Sequence, residues 1–311
     1  MHVDHRTRTR VALPEAAADS QGRLRNAMSV DVEEHFQVHA FAQTIARESW
    51  HGQESRVQRN TEQVLQLFAD HRAKATFFVL GWVAERCPGL IRRIVEEGHE
   101  LGSHGYQHTR ADHQSPDEFR ADVRRTKGLL EEAGGIAVPG YRAASFSIGA
   151  GNWWAFDILA EEGHRYSSSV FPIRHDQYGL HSAPRDAFEP SPDGAPGFIE
   201  LPMSTVRLLG QNLPCSGGGY FRLLPYAAFT MALRHLNRRE QRACMFYFHP
   251  WEVDPDQPRV AGAPLKSRLR HYTNLSRMEG KLRRLLGAFA WDRVDRVFGV
   301  GANAGANGHA Q

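Results

Sequence analysis

The sequence predicts an α/β protein built on parallel strands, and three observations carry that expectation. Short apolar runs of strand type alternate with amphipathic stretches of helical period through residues 26–299, and a repeated strand-then-helix order demands parallel strands joined by right-handed crossovers. A length of 311 residues admits one large barrel or two smaller domains, since barrels run past two hundred residues as single units. An apolar content of 41% beside 23% charged residues is enough to bury a sizeable core and excludes disorder of the whole chain. A barrel and an open sheet both satisfy these three facts.

The elements follow in order. Residues 27–32 read as a strand, 61–71 as a helix and 75–80 as a second strand. Pro88 opens a helix whose Leu90, Ile91, Ile94 and Val95 share a face, and Gly98 closes it before a strand over 99–103. Ser115, Pro116 and Glu118 form a capping-box start for a helix carrying Phe119, Val123 and Leu130, stopped by Gly134 and Gly135. Strands are expected over 136–141, 166–171, 198–203 and 244–249, with helices near 153–162 and 226–236. Leu275, Leu282, Leu285 and Leu286 predict a helix within 256–290, its Arg and Lys residues forming a solvated face. Residues 1–25 and 300–311 read as flexible tails.

Composition narrows the function. Lys and Arg number 38 against 35 acidic residues, a formal charge of +3, too small for a nucleic-acid footprint. Cys87, Cys215 and Cys244 form no CxxC pair, which argues against a disulfide framework or a thiolate zinc site. Neither a signal-peptide apolar core nor a membrane-length run is present, so a cytoplasmic location and no membrane span are expected.

Four polar clusters fall at expected strand ends: Asp31 with Glu33 and Glu34, His104 with His108, Tyr141 with Arg142, and His249 with Trp251. A barrel collects its chemistry at the carboxyl ends of its strands. Two imidazoles four residues apart, joined by one carboxylate from a neighbouring strand, form a three-ligand set that leaves positions open for water and substrate. Against this stands a plainer reading: a chain with 17 histidines yields some H-x3-H pairs as turn caps, and Glu33, Glu34 and His35 then begin a solvated loop.

Taken together and in this order, the clusters resemble the polysaccharide deacetylases of the chitooligosaccharide-deacetylase (NodB) homology group. Residues 29–41 (SVDVEEHFQVHAF), 140–148 (GYRAASFSI), 217–226 (GGGYFRLLPY), 246–259 (FYFHPWEVDPDQPR) and 270–286 (RHYTNLSRMEGKLRRLL) resemble the branch associated with exosortase/PEP-CTERM exopolysaccharide loci. The resemblance implies a distorted (β/α) barrel of the carbohydrate-deacetylase type over residues 26–255, with a C-terminal helical extension over 256–299 packed on it.

The resemblance also implies roles. Asp31 is the expected general base and His249 the general acid. Arg142 pairs with the base. Glu33, His104 and His108 are the expected ligands of a divalent metal, zinc foremost, with Glu34 the alternative to Glu33. Ser145 supplies a backbone amide to the oxyanion, and Tyr141 and Trp251 are substrate contacts. Ala144 stands where Pro is common in the third motif, and Ser168 follows Ser167 where the branch often has Asp before the paired serines. The Gly217–Gly218–Gly219–Tyr220 run is either a substrate contact or an irregular turn. The implied activity is removal of N-acetyl groups from sugar residues of an exopolysaccharide or its precursor. An N-acetylated polysaccharide or oligosaccharide is the expected partner, with no nucleic acid. A same-fold hydrolase of a small amide or ureide, or a non-catalytic carbohydrate-binding protein, would fit the fold equally.

Overall fold

The computed structural model describes residues 9–13, 18–176, 178–191 and 193–301. A ten-stranded sheet organises them. Its parallel run begins at Met245–Phe248 and passes through Arg25–Val32, Thr76–Val79, Glu100–Ser103, Gly140–Tyr141 and Tyr166–Ser167 to Ile199–Glu200. Apart from the last-in-sequence strand at one edge, spatial order follows chain order, as successive crossovers of one hand require. The sheet curls into the distorted barrel that the sequence implied, and the gap between its ends is bridged where the Ser204 hydroxyl accepts a hydrogen bond from Met245 N at 2.8 Å.

Strands buried on both faces explain their continuous apolar character. Met28, Val30 and Val32 pack with Phe77 and Val79 against the helices Val57–Asp70 and Pro88–Glu96. Phe78, Tyr166, Met203 and Met245 meet in a second cluster. The helix Pro116–Gly134 starts on the expected capping box: Ser115 N donates to Glu118 Oε2 at 2.8 Å and Glu118 N donates to Ser115 Oγ at 3.3 Å. It ends at Gly135, whose φ of 66° is the left-handed cap that a residue with a Cβ resists.

Departures from the expected elements have local causes. Pairing within 136–141 is confined to Gly140–Tyr141, because Pro139 has no N–H and Val138 N donates instead to Glu131 Oε1 at 3.0 Å. The strand expected over 166–171 stops at Ser167, since Ser169 N and Val170 N both donate to the Glu200 carboxylate at 2.8 Å. The single helix expected within 256–290 is split into Leu265–Tyr272 and Met278–Ala288. Asn274 between them adopts φ 58°, and the Arg222 guanidinium takes the carbonyls of Arg270, His271 and Thr273 that would otherwise continue the helix.

The 290s add a strand, Ala290–Asp292, parallel to the start of Arg25–Val32. A hairpin, Thr205–Leu208 with Gln211–Pro214, was not expected from the sequence. Thr9–Arg10 pairs antiparallel with Phe188–Glu189, and residues 1–8, 14–17 and 302–311 of the two expected tails lie outside the described residues.

Candidate active site

Three strands of the parallel run, two of them separated by Thr76–Val79, bring the first half of the site together. Asp31 is the next-to-last residue of Arg25–Val32, His104 follows Glu100–Ser103, and Arg142 follows Gly140–Tyr141. Arg142 is fully buried, and its Nη1 donates to Asp31 Oδ1 at 2.6 Å and to Ser29 Oγ at 2.9 Å. Its Nε reaches the Ser168 carbonyl at 3.2 Å, and its guanidinium lies 4.2 Å from the centroid of the Phe78 ring. A buried guanidinium is tolerable only when its donors and charge are matched in this way, so the arginine that sequence assigned to Asp31 also braces the barrel interior.

Glu33, His104 and His108 converge, each with a ligand atom within 4.8 Å of the others, and all three are buried. His104 Nδ1 lies 2.8 Å from the Arg142 carbonyl; a carbonyl can only accept, so Nδ1 carries the proton and the Nε2 lone pair is left for a cation. His108 Nε2 stands 3.0 Å from Glu33 Oε2. Burial holds His108 well below the ordinary imidazole range, with His104 and His249 adding to the effect. Burial likewise pushes the Glu33 carboxyl up to about 7, against the opposing pull of His249. Glu33 Oε2 accepts no hydrogen bond although it is buried. Two neutral imidazoles and an under-satisfied carboxylate are a donor set that suits a divalent cation such as zinc.

The loop between the two histidines is fixed from outside. Tyr106 N donates to Asp122 Oδ1 at 3.0 Å. Asp122 lies on the helix Pro116–Gly134.

His249 follows the strand Met245–Phe248 and faces the same cleft. Its Nδ1 lies 2.9 Å from Glu252 Oε1, and Arg222 Nε donates to Glu252 Oε2 at 2.7 Å. Its Nε2 is 3.4 Å from Glu33 Oε1. Burial alone would lower this imidazole, but the carboxylates of Glu33, Glu252 and Asp31 outweigh it and raise His249 to about 9. Neither Glu252 nor Arg222 was singled out as a site residue from the sequence. The first had a signal, lying three residues after His249 in the same HPWE segment; the second reaches the site only through the fold.

The Gly217–Gly218–Gly219 run is the start of a helix, Gly218–Leu223. A Cβ on Gly218 would fall 2.2 Å from Glu252 Oε1. The glycine is therefore demanded by the carboxylate that supports His249 rather than by a bare turn.

Other expected residues are placed differently. Glu34 is turned away from the histidines: its carboxylate accepts from Ser55 Oγ at 2.5 Å and from Arg56 N at 3.0 Å, at the start of the helix Val57–Asp70. Neighbouring residues of an extended segment point to opposite sides, so Glu33 and Glu34 cannot both face the cleft. The same rule moves Tyr141 away from Arg142; its ring packs against Phe119 and His164 and does not line the cleft. Trp251 does line the cleft, but at 6% exposure it is stacked on His249 and His271, with ring centroids 5.0 and 4.0 Å away, and its indole N–H points to Glu33 Oε1. It is a packed wall rather than an open stacking platform. Ser145 lines the cleft with φ 55°, and Phe146 beside it has φ 50°. Two successive non-glycine residues in the left-handed region concentrate backbone strain at this site.

Comparison with known proteins agrees with the geometry. Residues 51–156 match the family model described as Polysaccharide deacetylase, and residues 168–299 match one described as a domain of unknown function, DUF3473. A peptidoglycan-N-acetylglucosamine deacetylase from Bacillus cereus is 38% identical over 77 residues, covering 25% of this chain and 28% of its own length. A chitooligosaccharide deacetylase from Bradyrhizobium sp. is 35% identical over 100 residues, covering 32% of this chain and 43% of its own length. The chain therefore spans less than half the length of these curated relatives. A crystal structure from Mycobacterium smegmatis, assigned as a polysaccharide deacetylase, shares the fold at a TM-score of 0.52 and 20% identity, covering 89% of this chain and 95% of that one. The match to the polysaccharide deacetylase model is confined to residues 51–156, and the curated relatives matched are a peptidoglycan-N-acetylglucosamine deacetylase and a chitooligosaccharide deacetylase.

Proposed function

We propose that this protein is a metal-dependent hydrolase that removes N-acetyl groups from sugar residues of an exopolysaccharide or its precursor. One observation carries the reading: in a cleft of about 190 Å³, the Glu33, His104 and His108 set lies beside Asp31 and His249, each held by a partner of its own. The sugar substrate is supported by the deacetylase relatives. The exopolysaccharide is supported by the resemblance of the segments around residues 29–41, 217–226 and 246–259 to the exosortase-associated branch. A divalent cation held by Glu33, His104 and His108, zinc by its donor set, supplies Lewis acidity toward the acetamide carbonyl and acidifies a water.

The chain's own residues then divide the work. Arg142 occupies Asp31 Oδ1 and fixes the carboxylate, leaving Oδ2 to take a proton from the attacking water. The Ser145 amide serves the developing oxyanion. Glu252 holds Nδ1 of a protonated His249, so Nε2 delivers its proton to the departing nitrogen. The C–N bond breaks, and acetate and a free sugar amine leave.

Metal analysis of purified protein tests the foundation of this reading. The wild type is expected to hold close to one divalent ion per chain, and Glu33→Gln or His104→Ala to lose it. Full retention of metal in both variants would remove this cluster as the metal site.

A further inference from the structure

Leu209 is 95% exposed and Leu208 57% exposed at the turn of the hairpin Thr205–Leu208 and Gln211–Pro214. Leu209 has φ 49° and Gly210 φ 79°, the two-residue turn geometry that favours Asn, Asp or Gly at its first position. A leucine there costs backbone energy and exposes apolar surface to water, so neither local preference nor solvation accounts for it. A second element repeats the pattern. On the helix Leu265–Tyr272, Leu265 and Leu269 are 69% and 58% exposed, one turn apart on one face.

The two elements flank one loop, residues 172–176. On one side Asn212 Nδ2 donates to the Pro172 carbonyl at 2.9 Å. On the other, Lys266 and Arg270 pair with Asp176. Arg270 and Tyr178 also line the cleft, so the helix that carries Leu265 and Leu269 borders it. Between hairpin and loop lies a groove of about 710 Å³ lined by Arg174, Arg185, Arg207 and Arg242. Asp186 and Glu240 neutralise Arg185 and Arg242. The exposed Arg174 and Arg207 pair with no carboxylate among the described residues. Arg268 is exposed beside Leu265 and Leu269.

We propose that this face seats on the surface of an anionic lipid bilayer. Leu208, Leu209, Leu265 and Leu269 enter the headgroup region, and Arg174, Arg207 and Arg268 meet lipid phosphates. Small apolar tips flanked by basic groups are the chemistry of interfacial anchoring, each cation near an anionic surface adding attraction that salt screens. A rigid protein partner would instead call for a continuous apolar patch. Among the described residues no helix is long and apolar enough to cross a membrane, so the contact is peripheral. It stands independently of the deacetylase reading and adds that a helix bordering the cleft rests at the lipid surface.

Vesicle co-sedimentation of the full chain tests it, comparing phosphatidylcholine vesicles with an equal mixture of phosphatidylcholine and phosphatidylglycerol. The wild type is expected to sediment with the mixed vesicles, weakly with phosphatidylcholine alone, and less as salt rises. Leu209→Asp with Leu265→Asp should weaken mixed-vesicle binding about tenfold or more. Leu209→Asn should lower binding while raising the thermal midpoint, because Asn suits the turn; a purely structural leucine would move stability without moving binding. Arg174→Gln with Arg207→Gln should weaken binding and its salt dependence. Absence of wild-type binding to mixed vesicles, or variants that bind as the wild type does, would overturn the proposal.

Discussion

Asp31 and Arg142 show how burial and chemistry are joined at single residues. The 2.6 Å pair lies in the barrel interior, where leaving one charge unmatched costs about 3–5 kcal/mol. A test of the base must therefore keep a hydrogen-bond acceptor at this position, which makes Asp31→Asn the informative substitution. Asp31→Asn and His249→Ala are each expected to lower kcat by about two to four orders of magnitude with bound metal retained. Steady-state rates alongside metal content check this; unchanged rates in either variant would remove that residue from the proton transfers. The residues named from sequence at adjacent positions divide by side-chain direction. Glu33 and Arg142 face the site, whereas Glu34 supports a helix start and Tyr141 joins the core. Motif spacing located each pair but could not say which member turns inward.

At the scale of elements, the parallel strands were legible because burial on both faces makes them continuous apolar runs, and the Ser115 capping box marked its helix to the residue. Strand lengths were not legible, since Glu131 and Glu200 capture backbone N–H groups that would have extended the ladders. The support of His249 was also hidden. Glu252 lies in the same segment, but it is held by Arg222, thirty positions earlier in the chain, and given room by Gly218. That dependence yields a prediction on the helix Gly218–Leu223. Gly218→Ala should displace the Glu252 carboxylate and reduce kcat about tenfold or more with metal content intact, since an added Cβ overlaps it. Wild-type activity in Gly218→Ala would mean that Glu252 does not position His249.

Across the whole molecule, part of the acid stability rests on a buried histidine remote from the site, His99. His99 is buried between Phe68 and Phe77, and its Nδ1 accepts from Ala75 N at 3.1 Å. Burial, with Lys74 assisting, lowers it to about 3. A depressed imidazole contributes stability that is full above its ordinary value of 6.5 and lost as pH falls toward about 3. Between neutral pH and pH ~4.5 this one group should cost about 2–3 kcal/mol. His99→Gln should flatten that part of the pH dependence, as read by urea unfolding at the two values; an unchanged slope would assign the acid sensitivity elsewhere. The family-level fold was legible because the ordered clusters fall at successive strand ends. The hairpin Thr205–Leu208 with Gln211–Pro214 was not, because its turn carries leucine where turn chemistry predicts Asn or Gly. Metal-dependent hydrolysis of sugar acetamides is tested by acetate release from N-acetylated oligosaccharides before chelation, after chelation and after metal restoration, with His104→Ala in parallel. Release that chelation abolishes, metal restores and the variant lacks is the predicted result; release that persists through chelation and in His104→Ala would contradict it.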